Sequence, residues 1–96
     1  MRVSQAPPLP DDILRRITAD YPAQAAFTQV KLTLETLAVP EPHRVARCVL
    51  FAAERDFAQF ERIAELARLD YRDAIMCGEY EPVTCKRLRN FSEPFD

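Results

Sequence analysis

The side chains in this chain that could do chemistry are few, and fewer are spaced to do it together. Glu79 and Glu81 flank Tyr80. Paired carboxylates perform acid–base catalysis when a pocket drives their pKa values apart. Here they fall where a helix is expected to end, and such an exit is normally solvated. Cys85 offers a thiol, but the one histidine, His43, lies far off in sequence beside Pro42, and a thiol with no activating base is a weak nucleophile. The serines Ser4 and Ser92 lie near the two ends, so a Ser/His/Asp arrangement has no scaffold. Cys48, Cys77 and Cys85 are widely spaced with no Cys-x-x-Cys pair, whereas a zinc site needs about four ligands, usually in close pairs. Gly78 is the single glycine, which rules out a glycine-rich phosphate loop. Neither a metal nor another cofactor is expected. An enzyme using Glu79, Glu81 or Cys85 is the least favoured of the functional readings.

The densest constellation is Asp70-Tyr71-Arg72-Asp73, followed by Gly78-Glu79-Tyr80-Glu81. Tyrosine offers rigid contact area and arginine planar hydrogen bonding, so Tyr71, Arg72, Asp73, Glu79 and Tyr80 form a candidate interaction surface. The competing reading is architectural. Asp70 caps a helix, Asp73 takes the capping-box position, Tyr71 packs inward and Arg72 pairs with a carboxylate. Caps explain both aspartates without further assumptions, and the architectural reading is preferred for that reason.

Charge narrows the partners. Thirteen Lys+Arg stand against fifteen Asp+Glu, a formal charge of −2. Nucleic-acid binders carry a basic domain or face. The one basic spot, Lys86-Arg87-Leu88-Arg89, reads as a solvated tail, so no nucleic acid is expected. The cations are mostly arginine, which favours fixed pairs with carboxylates. No apolar run approaches the length of a membrane span, and Met1-Arg2-Val3-Ser4-Gln5-Ala6-Pro7-Pro8 lacks the apolar core of a signal peptide. A cytoplasmic protein of bacterial style is the expectation.

The elements that must position these residues are helices. The hydrophobic and charged fractions, 48% and 29%, are those of a globular chain. One glycine is too few for the tight turns of a small β fold. A mobile leader is expected over 1–10, a single helical domain over 11–81 and a tail over 82–96, packed on the domain or extending from it. Asp11 is a candidate N-cap for a first helix to Asp20, with Ile13, Leu14 and Ile17 on one face. Phe27, Val30, Leu34 and Leu37 recur at helical spacing and predict a second helix over 23–38. A third runs from Glu41 or Pro42 to Glu54. Its middle is apolar nearly all round, as in a central helix, and Arg44 and Arg47 interrupt it on one side. Asp56 caps a fourth, with Phe57, Phe60, Ile63, Ala64 and Ala67 inward. Asp70 caps a fifth, which ends near Cys77 with Gly78 as its left-handed residue; the alternative is that the fourth helix continues with a kink. Cys48 and Cys77 read as core, Cys85 as an exposed thiol. Phe91 and Phe95 are placed to pin the tail. The fold class is all-α, a compact antiparallel array of four to five short helices.

The segments Arg44-x-x-Arg47-Cys48, Asp70-Tyr71-Arg72-Asp73-Ala74-Ile75 and Gly78-Glu79-Tyr80-Glu81 together resemble a group of short bacterial proteins sharing an Asp-Tyr-Arg-Asp core and a following Gly-Glu-Tyr. The resemblance covers residues 44–81 and implies no activity. Two departures stand out: Ala74 replaces a larger β-branched residue, and Glu54-Arg55 replaces a turn that usually contains glycine. Functionally, the chain is expected to be a non-catalytic protein-binding module or small adaptor, with an inhibitor or immunity-type protein as the alternative. The partner is another protein or a second copy of itself. Leu32, Leu50 and Met76 are more apolar side chains than one small core readily covers, which motivates self-association.

Overall fold

The computed structural model describes residues 9–81 and 83–95. They form five helices: α1 (Asp11–Asp20), α2 (Gln24–Glu35), α3 (Pro42–Ala53), α4 (Phe57–Leu69) and α5 (Tyr71–Glu79). This is the expected all-α array. Its core gathers one face of every helix, including Ile13, Ile17, Val30, Leu34, Val45, Val49, Leu50, Phe60 and Ala74. α3 lies at the centre, packed against α5, α4 and α1. Leu50, expected as surplus apolar surface, is fully buried there, whereas Leu32 and Met76 are exposed.

The helix limits have local causes. Pro10 is the N-cap of α1 and makes no side-chain capping bond, so Asp11 lies inside the first turn instead of capping it. The last part of the expected leader belongs to the body, since Leu9 is buried in the core; residues 1–8 lie outside the described residues. α2 stops at Glu35, earlier than the apolar repeat suggests. The Thr36 hydroxyl donates to the Leu32 and Thr33 carbonyls at 2.9 and 3.1 Å, while Pro40 and Pro42 force the following chain out of helical conformation. Leu37 is buried all the same, as a loop residue. α3 begins with Pro42 in its first turn, behind a left-handed Glu41.

The turn from α3 to α4 forms without glycine. Glu54 and Arg55 both take positive φ, 52° and 66°, a conformation that costs roughly 1–2 kcal/mol for each non-glycine residue. Two features hold it. The Asp56 amide donates to the Ala53 carbonyl at 3.0 Å, and the Asp56 carboxylate accepts the Gln59 amide at 3.1 Å as the α4 N-cap. Asp70 alone joins α4 to α5. It ends one helix and caps the next, accepting the Arg72 amide at 3.1 Å.

Gly78 departs from its expected role. It lies within α5 at a negative φ, not at a left-handed helix end. A Cβ at this position would stand 2.6 Å from both Cα and Cβ of Cys48. Glycine is therefore required for the close approach of α5 to α3, with backbone nearly touching backbone. Cys77, one residue earlier, is exposed and not in the core as expected.

Candidate functional site

The polar centre of the molecule is built on α3. Arg44 and Arg47 project from the side of that helix facing α5, α1 and the C-terminal segment. Each makes a two-pronged ion pair with a carboxylate 35 residues away. The Arg44 Nη2 and Nε donate to Glu79 at 2.8 and 2.9 Å. The Arg47 Nε and Nη2 donate to Asp12 at 2.8 and 3.1 Å. Both carboxylates are buried, Glu79 completely, and burial of a charge is tolerated only when it is paired and hydrogen-bonded.

Each carboxylate also takes an amide from the C-terminal segment. Phe91 N–H donates to Glu79 Oε2 at 2.9 Å and Phe95 N–H to Asp12 Oδ2 at 3.1 Å. The Arg87 Nε adds a bond to Glu79 Oε1 at 3.1 Å, and the Arg47 Nη1 donates to the Phe91 carbonyl at 3.1 Å. The four acceptor positions of Glu79 are thus filled. Burial works to raise the Glu79 pKa, but Arg44, the Phe91 amide and Arg87 outweigh it and hold the carboxyl below the usual range. Asp12 is held low chiefly by Arg47, against its burial and with help from the Phe95 amide. Cys48 lies beside this centre, its thiol 3.9 Å from Glu79 Oε2. Its pKa is pushed up to about 12 by burial and by the Glu79 charge.

This arrangement redistributes the five residues expected on one interaction surface. Glu79 is not on a surface at all, being a fully buried member of the ionic centre. The reason is the helical period. It places Glu79 on the buried face of α5 with Ala74, Ile75 and Gly78. Tyr71 is half-buried and packs on the core. Arg72 is exposed and folds back on its own cap, Nε and Nη2 meeting the Asp70 carboxylate at 3.1 and 3.2 Å. Asp73 is exposed and makes no ion pair among the described residues. Tyr80 is half-buried beside a groove.

The groups considered for catalysis are also separated. Glu81 Oε1 accepts the Val83 and Thr84 amides and the Thr84 hydroxyl, which hold its carboxyl low and fix a turn. Cys85 is an exposed thiol at a left-handed position in that turn. Neither it nor Glu79 nor Glu81 lines the groove. Among the described residues no group of three or more His, Cys, Asp or Glu side chains is placed to hold a metal, and no helix is long and apolar enough to cross a membrane.

The basic spot expected to be a solvated tail is largely engaged. Besides Glu79, Arg87 reaches the Asn90 side chain at 2.8 Å. Arg89 donates to the Gly78 carbonyl at 3.0 Å and stands 4.2 Å over the Phe51 ring. Phe91 is buried, and Phe91 and Phe95 continue an aromatic row from Phe51.

The groove lies between α3, α4 and α5. It encloses about 450 Å³ and is lined by Phe51, Ala52, Glu54, Gln59, Ile63, Met76, Cys77 and Tyr80. Its floor is apolar and its mouth is open, with Met76 42% exposed at the edge. A second depression at the start of α3, lined by Glu41, Pro42, His43, Arg44, Arg47 and Ser92, is polar, but both its arginines are committed to buried carboxylates. His43 Nε2 is buried there without a partner. Sequence reasoning missed the groove because its walls come from three helices. The ionic centre did leave a signal: two arginines three apart in an otherwise apolar helix must find buried acids.

No protein-family model matches the chain, and no curated protein or solved structure is significantly similar to it.

Proposed function

We propose that this chain is a non-catalytic protein-binding module that receives apolar side chains of a partner protein in the groove between α3, α4 and α5. The observation carrying the reading is the contrast between the two features of the molecule. The buried carboxylates Glu79 and Asp12 are committed to internal ion pairs, and Glu81 is held by its own turn. The groove leaves Met76, Cys77, Phe51 and Tyr80 beside open space, and such apolar concavities with exposed edges are where partners anchor. The exposed pair of Asp70 and Arg72 satisfies itself locally and supports the architectural role expected of a helix cap.

Affinity capture with the wild-type chain, Ala52→Trp and Arg72→Ala tests this. Ala52 is half-exposed on the groove wall, so an indole there fills the groove without entering the core. A partner retained by wild type and Arg72→Ala and lost with a folded Ala52→Trp is the expected result. Loss with Arg72→Ala and retention with Ala52→Trp would move the site to the α5 cap. Sedimentation of the same proteins reads whether the partner is a second copy.

A further inference from the structure

Residues 83–95 form a strap against α3 and the end of α5, and two walls of the groove belong to residues that this strap holds. The Phe51 ring lies under the Arg89 guanidinium at 4.2 Å and packs against Phe91 with centroids 5.4 Å apart. Tyr80 pairs with Arg87 in an antiparallel bridge, and the Leu88 and Arg89 amides donate to the Glu79 carbonyl at 2.7 and 3.3 Å. The strap has little apolar burial of its own. Phe91 is buried and Phe95 half-buried, while Val83 and Leu88 are exposed. Its hold is mainly polar, through the amides and arginines on Glu79 and Asp12. Segments attached in this way open at lower free energy than the core.

We propose that the strap regulates the groove. Docked, it keeps Phe51 drawn back and the groove open; lifted, it releases Phe51 to fold over Ala52, Ile63 and Met76 and close it. The physical reason is the cover on the Phe51 ring. Loss of Arg89 and Phe91 exposes that ring from behind, and the nearest apolar surface able to shield it from water is the groove floor. By linkage, an occupant that keeps the groove filled favours the docked strap by the same factor. The biological meaning of this coupling rests on the binding role proposed above, but the coupling is measured with no partner present.

Cys77 supplies the readout, because it lines the groove and is exposed. In a Cys85→Ser background, with Cys48 buried, it is the one thiol open to N-phenylmaleimide. Adding Arg89→Ala is expected to slow its modification by about fivefold, the lower end of ordinary coupling between sites, with helical content unchanged. An unchanged or faster rate overturns the proposal. The reverse arm uses the Cys77 adduct itself, whose phenyl group occupies the groove. Hydrogen exchange at the Leu88, Arg89 and Phe91 amides is expected to slow by about fivefold in the adduct, and unchanged or faster exchange overturns the coupling. A failed partner capture would leave both readouts as they are, so the two readings fail separately.

Discussion

Replacing Glu79 with glutamine isolates the ionic centre with the smallest possible change in shape. The carboxylate receives Arg44 Nη2 and Arg87 on one oxygen, and Arg44 Nε and the Phe91 amide on the other. Every one of these partners is a donor. Whichever way the amide of Glu79→Gln is turned, its NH2 group faces two donors, and the charge opposite Arg44 is lost. Breaking a buried pair costs about 3–5 kcal/mol. Arg44 and Arg87 retain 19% and 42% side-chain exposure, so water relieves part of this, and about 2–4 kcal/mol is the expectation. For a domain of this size that lowers the melting temperature by roughly 10–25 °C. Glu81→Gln is the internal control. All three bonds to Glu81 end on one oxygen, which an amide reproduces, and the change should stay within about 0.5 kcal/mol. Urea unfolding followed by helical circular dichroism measures both. Equal stabilities of the two variants would refute the assignment of Glu79 as the ionic keystone.

Other expectations follow from the same geometry. Gly78→Ala ordinarily favours a helix, but here the new methyl meets the Cys48 backbone at 2.6 Å, so a net loss of about 1–3 kcal/mol is expected by urea unfolding. Asp12 and Glu79 both have lowered pKa values in the folded state. Their contribution to stability is therefore complete above the unfolded carboxylate value, near about 4, and is lost as pH falls through the folded values. A urea midpoint flat from neutral to mildly acid pH and falling steeply below is the signature, and the fall should be shallower in Glu79→Gln. Titration with a disulfide reagent should find Cys77 and Cys85 reactive in the native protein and Cys48 reactive only after unfolding, since Cys48 is buried with its thiol pushed up to about 12. Asp56→Ala removes the α4 cap and should cost about 1 kcal/mol in the same unfolding assay.

Much of the fold is legible in the sequence where local rules decide. The apolar periods and caps give four to five helices where the structure has five, the aspartates at 56 and 70 cap where expected, and the apolar run of α3 marks it as central. Legibility fails where a residue answers to a distant element. Gly78 resembles a helix terminator until Cys48 is seen beneath it. Glu79 reads as one of a pair of solvated carboxylates at a helix exit but points inward, because 75, 78 and 79 fall on one helical face. Arg87 and Arg89 resemble a solvated basic patch, yet their partners are Glu79, the Gly78 carbonyl and Phe51. Leu37 continues the apolar period of α2, yet it is buried from the loop that follows the helix end at Glu35. The α3–α4 turn lacks the glycine usual at such a turn, and it forms with Glu54 and Arg55 both left-handed.

The proposed binding role requires that the groove make the contact while the ionic centre holds the fold. A photo-crosslinking residue placed at Met76, on the groove edge, separates the groove from the α5 cap. Irradiation in the presence of the captured partner should give one covalent complex from position 76, removed by Ala52→Trp and absent when the same residue is placed at Arg72. Crosslinking from position 72 with none from position 76 would contradict the claim.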